Sequence, residues 1–324
     1  MQKICVNMEY LILILSLAGI VLGADFLVKG AVVVARKCRV SSFVIGAVIV
    51  GIGTSLPELV VSTVGAIGGN SEVAIGNVVG SNIFNVFAIL GLTALFFPIA
   101  VSRENMKFEI PFCIAVSALL MLLVYNFFVG GEPRLGRWDG AALLLVFTSF
   151  MWISLRRGKN SAATVGESVE EVNKSLWFAA FSILGGLAAL IVSSNFFVDE
   201  AVAIARKLGV SDAFISITLL ACGTSLPELA ASVTAAVKKD TDMALGNIIG
   251  SNIFNATMIL GTASLITPLT TGKIGLVDYG AMILAAVLPM IFGIRGKITR
   301  FEGLLMLLCY AAYTWYIVTY VMAV

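Results

Sequence analysis

The sequence predicts an all-α polytopic membrane protein, with ten transmembrane helices arranged as two inverted five-helix repeats. Three observations predict it. Of 324 residues, 59% are hydrophobic and only 12% charged, against roughly a quarter charged in a soluble domain. Apolar runs long enough to cross the hydrocarbon of a bilayer recur along the whole length. The chain also matches itself at an offset of 170 residues, without a gap.

The self-match identifies the repeat. Ala35-Arg36-Lys37 falls on Ala205-Arg206-Lys207, and Gly53-Thr54-Ser55-Leu56-Pro57-Glu58-Leu59 falls on Gly223-Thr224-Ser225-Leu226-Pro227-Glu228-Leu229. Gly76-Asn77 and Gly80-Ser81-Asn82-Ile83-Phe84-Asn85 fall on Gly246-Asn247 and Gly250-Ser251-Asn252-Ile253-Phe254-Asn255. Such agreement means duplication. The first copy occupies 1–155 and the second 176–324, joined by a polar, cytoplasmic linker at 156–175.

The apolar runs, taken in order, fall at 9–34, 42–67, 72–98, 107–129 and 138–155 in the first copy. In the second they fall at 176–204, 212–237, 242–268, 274–294 and 302–323. Lys3 ahead of Leu11–Leu22 imitates a signal peptide, but that run belongs to the repeat. A repeat with an odd number of spans sits in the membrane upside down relative to its partner. Basic residues agree: loops after the odd-numbered spans carry fourteen Lys and Arg, and the opposite side six. Both termini are therefore expected outside a cell membrane, with the odd loops in the cytoplasm. Gly68-Gly69-Asn70 has no basic residue, whereas its counterpart Lys238-Lys239-Asp240 has two.

Composition also excludes functions. A net charge of +2 gives no reason to expect a nucleic-acid partner. Five Cys without a CxxC pair suggest neither disulfides nor zinc, and Cys113, Cys222 and Cys309 read as small hydrophobes inside apolar runs. The absence of His removes the commonest proton shuttle. No resident cofactor is expected.

The chemistry gathers in spans 2 and 7. A carboxylate at the bilayer centre is costly, so Glu58 and Glu228 should face the protein interior and serve a function. Each follows a proline (Pro57, Pro227), which removes a backbone N–H and should break the helix. Carbonyls upstream, around Gly51 and Ala221, are expected to lack a helical donor, a condition tolerated where backbone lines a cavity or binds an ion. Thr54 and Thr224 stand one helical turn before their glutamates. Carboxylates, hydroxyls and carbonyls are hard oxygen donors, suited to Ca2+ and Na+. Spans 3 and 8 add stripes with a spacing of four: Asn77, Ser81, Asn85 and Asn247, Ser251, Asn255. Gly76/Gly80 and Gly246/Gly250 permit close helix approach. For Asn77, Asn82, Asn247 and Asn252, packing or backbone capping competes with ion contact; for Asn85 and Asn255, ligation is the reading. Asp25, aligned with Asn195, is either structural or part of an ion path. Cys222 aligns with Ile52, so its sulfur is incidental.

The paired GTSLPE and GNxxGSNIFN segments resemble the two alpha-repeats of the cation/Ca2+ exchanger superfamily, most closely its Na+/Ca2+ exchangers of compact prokaryotic type. The resemblance covers nearly the whole chain. It implies a core of spans 2, 3, 7 and 8, with spans 1 and 6 as long tilted helices moving against it. It implies central carboxylates Glu58 and Glu228, hydroxyl ligands Thr54, Ser55, Thr224 and Ser225, and backbone ligands Gly51 and Ala221. It further implies Ser81 and Ser251 at flanking Na+ sites, and the amides of Asn85 and Asn255 beside the centre. Some members carry Asp where Asn255 stands, including K+-dependent ones, so Asn here argues against K+ co-transport. Ca2+ and Na+ are then the substrates, the bilayer is the environment, and no protein partner is predicted, so a monomer is the expectation. A Ca2+/H+ exchanger using the same glutamates is the alternative. An intramembrane enzyme with Ser55 or Ser225 as nucleophile lacks a base and a nucleophile elbow, and a channel fits inverted halves less well.

Overall fold

The computed structural model describes residues 2–126, 132–160, 175–208 and 221–321. In chain order its main helices are α1 (Met8–Cys38), α2 (Ser42–Thr54), α3 (Leu56–Ile67), α4 (Ser71–Phe96), α5 (Arg103–Tyr125), α6 (Arg137–Gly158) and α7 (Leu176–Lys207). They are followed by α8 (Leu226–Val237), α9 (Thr241–Ile266), α10 (Leu276–Gly293) and α11 (Arg300–Thr319). Eight of these are long and apolar enough to cross a membrane, and α2 with α3 makes a ninth candidate, bent by 46°. The chain is thus a multi-pass, mostly helical membrane protein. Of the expected seventh run, residues 212–220 lie outside the described residues; the helical turn Ala221–Gly223 and α8 represent the rest. Residues 161–174 of the expected linker also lie outside them.

Helix ends follow their charges. α1 and α7 continue beyond the apolar runs to Cys38 and Lys207, and Arg36, Lys37, Arg206 and Lys207 fill their last turns. Cations there meet the negative end of the helix and reach water on long stems. Among the described residues, four two-residue strands join the connectors, an element the sequence reading did not include: β1 (Ile99–Ala100), β2 (Arg134–Leu135), β3 (Leu269–Thr270) and β4 (Lys297–Ile298). β1 pairs antiparallel with β4 and β2 with β3, each ladder tying a connector of one copy to a connector of the other.

Burial sorts the helices. In α4 and α9, 78% and 83% of the apolar window is inside the protein, against 11–39% in the other long helices. These two carry the Asn/Ser/Gly stripes, so the polar sequence and the inner position coincide. α1 and α7 pack against each other along their lengths and turn Leu11, Ile14, Leu15, Phe181 and Leu184 outward, as a lipid-facing pair must. Lys207 at the end of α7 pairs with Glu9 at the start of α1.

Gly23 and Gly186 let the α1 and α7 backbones approach closely. A Cβ on Gly186 would lie 2.6 Å from Leu27 N and 2.7 Å from Gly23 O, and one on Gly23 would lie 2.9 Å from Gly186 O. Close backbone approach of this kind is a main source of helix association where lipid replaces water. Gly186→Leu is therefore expected to destabilise the protein by about 1–3 kcal/mol, as overpacking does, read as a lowered melting temperature in detergent. Gly280→Ala, where a Cβ meets nothing within 4 Å, is the control and should melt at or above the wild-type temperature.

Candidate functional site

The two GTSLPE motifs each break a helix. In the first copy the backbone leaves α2 at Ser55 and re-enters a helix at Leu56, with Pro57 in the opening turn of α3. Proline is tolerated there because that N–H has no helical acceptor to lose. Pro227 takes the same place in α8. Glu58 and Glu228 therefore lie in the first turn of a half-helix, where the positive end of the helix favours a carboxylate. Both are 0% exposed.

One expectation needs correction. The Gly51 carbonyl does not lack a donor: it accepts from Ser55 N at 3.1 Å, and both Thr54 Oγ1 at 3.3 Å and Ser251 Oγ at 3.2 Å point to it. The break falls at Ser55, whose N–H still closes the last turn of α2. In the second copy Ser225 N donates to Cys222 O, three residues back, at 3.2 Å.

The motifs complete each other across the protein. Ser55 Oγ donates to Glu228 Oε1 at 2.7 Å, and Ser225 Oγ donates to Glu58 Oε1 at 3.1 Å while lying 3.4 Å from Ser81 Oγ. The two carboxylates are close enough to interact electrostatically. Thr224 and Thr54 approach Glu58 and Glu228, yet Glu58 Oε2 and Glu228 Oε2 remain buried without a hydrogen-bond partner. Thr54 Oγ1 is 3.0 Å from Val50 O and 3.3 Å from Asn247 Oδ1.

The asparagines divide into three roles. Asn77 Nδ2 donates to Glu58 O at 3.2 Å and to Ser62 Oγ at 3.0 Å; Asn247 Nδ2 does the same to Glu228 O at 3.2 Å and Ser232 Oγ at 2.8 Å. These amides satisfy backbone beside the break, which is the capping reading. Asn82 and Asn252, one repeat apart, donate to each other's carbonyls at 3.0 and 3.2 Å. Asn85 Nδ2 donates to Asn252 Oδ1 at 3.0 Å and Asn255 Nδ2 to Asn82 Oδ1 at 3.2 Å. With their NH2 groups so committed, Asn85 Oδ1 and Asn255 Oδ1 stay buried and unpartnered. A buried oxygen without a donor costs free energy. Four of them, two from carboxylates and two from amides, are hard oxygens of the kind that Ca2+ and Na+ take as ligands.

Ser62 and Ser232 escaped the sequence reading, although each stands four residues after its glutamate in both copies. The π-helical turns at Asn85–Leu90 and Asn255–Ile259 had no sequence signal; such turns widen a helix locally and gather at functional sites.

The copies differ in access. A cavity of about 530 Å³ reaches Asn77, Ser81 and Thr224 past Val61, Tyr310 and Tyr313. The second stripe is sealed: a Cβ on Gly246 would lie 2.2 Å from Phe43 O and one on Gly250 2.4 Å from Ala47 Cα.

Known proteins resemble this chain in sequence and in fold. The putative antiporter CaxA of Alkalimonas amylolytica is 38% identical over 314 residues, covering 93% of this chain and 96% of that protein. The sodium/calcium exchanger MaX1 of Methanosarcina acetivorans is 35% identical over 342 residues, covering 95% and 98%. A solved structure of the sodium-calcium exchanger NCX_Mj, soaked with 10 mM Na+ and no Ca2+, matches with a TM-score of 0.83 at 32% identity, covering 97% of this chain and 99% of that one. The model of the sodium/calcium exchanger protein family matches residues 8–156 and 178–319, and the chain belongs to that family.

Proposed function

We propose that this protein is a secondary active antiporter that exchanges Ca2+ for Na+ by alternating access at one central site. The observation that carries the reading is the pair of cross-bonded, fully buried glutamates, each with an unpartnered oxygen, together with the buried, unpartnered oxygens of Asn85 and Asn255. Two ionised glutamates match the charge of one Ca2+, and carboxylate and amide oxygens are its preferred donors. Ser55, Ser225, Thr54, Thr224, Ser81 and Ser251, with the carbonyls of Gly51 and Ala221, supply neutral oxygens for Na+ around that centre. A cation arriving at Glu58 and Glu228 displaces the serine hydroxyls, which then turn to the carbonyls and hydroxyls near them.

Exchange follows from the cost of burying charge. An empty site with two carboxylates has no counter-charge in a low-dielectric interior, so it switches poorly between the two sides. Ca2+ or Na+ removes that cost, and occupancy by one excludes the other. In this reading the chain crosses the membrane ten times as two inverted copies, 1–155 and 176–324, with both termini outside. The cavity at Asn77 and Ser81, which lies on the side of the 68–70 loop, then faces outward. If more than two Na+ replace one Ca2+, net charge moves and transport is electrogenic.

Glu58→Gln and Glu228→Gln are each expected to abolish Na+-driven Ca2+ uptake into proteoliposomes while leaving the melting temperature in detergent near that of the wild type; wild-type uptake in either variant would refute the assignment. Uptake needing an outward Na+ gradient at clamped pH separates this reading from Ca2+/H+ exchange, which a pH gradient alone would drive. A transmembrane current should accompany Ca2+ movement under a Na+ gradient. Zero current during uptake would mean that Na+ and Ca2+ exchange in a charge-balanced ratio.

A further inference from the structure

The two copies share a sequence plan but not their packing. α1 and α7 are repeat equivalents, and so are α3 and α8. α1 packs along α8, yet α7 makes no comparable contact with α3. The exposed surfaces report the difference: Val60 and Val64 on α3 are 59% and 62% exposed, while the matching Ala230 and Thr234 on α8 are half-buried and Ala231 is 1% exposed. The open cavity lies beside the uncovered α3, at Val61.

The closed contact is pinned by charge. Lys238, just after α8, places Nζ 2.7 Å from Asp25 Oδ1 on α1 and donates to the Asp25 backbone carbonyl at 3.2 Å. Lys29, one turn along α1, holds the other carboxylate oxygen at 2.6 Å. One residue of α1 is thus held at two points by the loop that follows α8. Position by position, the other copy has Asn195 for Asp25 and Gly68 for Lys238. If the two copies exchange packings, as alternating access in inverted repeats requires, α7 covers α3 and α1 leaves α8. The Asp25–Lys238 pair is then lost, and no ion pair takes its place, because Asn195 and Gly68 carry no charge.

We propose that Asp25 and Lys238 form a one-sided latch that stabilises the state with the cavity open beside α3, and so sets the resting balance between the two facing states. The proposal rests on the alternating-access reading. It assigns Asp25 a positioning role, in place of a seat on the ion path.

The test uses the full chain in lipid vesicles with equal Na+ on both sides and no Ca2+, so that the occupied site can switch, its five native cysteines replaced by alanine and Val61→Cys placed in the cavity wall. The readout is the rate of modification by a membrane-impermeant maleimide. Asp25→Asn and Lys238→Gln should each slow modification roughly two- to fivefold, the range expected for a partly exposed ion pair. Lys238→Arg should keep the parent rate. Asn195→Asp with Gly68→Lys, which builds the missing latch in the other copy, should slow modification as well. A merely structural pair would lower the melting temperature without changing these rates. Unchanged rates in both neutral variants, or a Lys238→Arg rate as slow as that of Lys238→Gln, would overturn the latch. The readout needs no transport, so failure of the exchange reading would appear separately, as absent Ca2+ uptake in the wild type.

Discussion

Two carboxylates with no solvent contact, in the middle of a lipid-spanning bundle, impose the constraint around which this protein is organised. Among the described residues, neither Glu58 nor Glu228 has a basic side chain as a hydrogen-bond partner. What supports them is neutral: a helix N-terminus under each, a serine from the opposite motif, and asparagines that absorb the backbone polarity created by the break. Each of these is worth little alone. Together they hold the carboxyl groups in place while leaving one oxygen of each unsatisfied, so the protein positions the charge without neutralising it. The neutralising partner has to come from outside the chain, which is the physical requirement of a site that binds and releases cations.

Duplication solves a geometric problem that one copy cannot. A single broken helix can present one glutamate, but its serine does not reach that glutamate; it reaches the one in the other copy. Asn82 and Asn252 meet at equivalent positions and exchange hydrogen bonds, fixing the register of the two copies against each other. The NH2 groups of Asn85 and Asn255 are then committed to Asn252 and Asn82, and their oxygens, like Glu58 Oε2 and Glu228 Oε2, are buried without a partner. The centre is therefore a joint product of both halves.

Similar sequences in dissimilar packings give the site its direction. Gly246 and Gly250 are pressed against Phe43 and Ala47, while Asn77 and Ser81 line a cavity. The inner helices α4 and α9 are nearly enclosed and rich in cross-copy hydrogen bonds, so they form the rigid element. The α1–α7 pair packs instead on the broken helices α2 and α8, and apolar and small residues meet there, Leu187 against Gly53 and Val198 against Gly223. Charge at the rim, where Asp25 meets Lys238, distinguishes one packing from the other.

Much of this was legible in the sequence. Apolar runs placed the described long helices to within about four residues, because the bilayer demands length and hydrophobicity from each segment locally. The 170-residue offset exposed the duplication, and the rarity of intramembrane carboxylates pointed to Glu58 and Glu228, with Thr54, Ser55, Thr224 and Ser225 beside them. The tertiary structure alone decided the partners. It gave Ser55 to Glu228 and Ser225 to Glu58, supplied Gly51 with donors from both its own turn and Ser251, made Asn77 and Asn247 backbone caps, and tied Asp25 to Lys238. The physical reason is distance along the chain: helix formation and membrane insertion depend on neighbours within a few turns, whereas each of these long-range partners is set by how two helices cross, and no local pattern records a crossing.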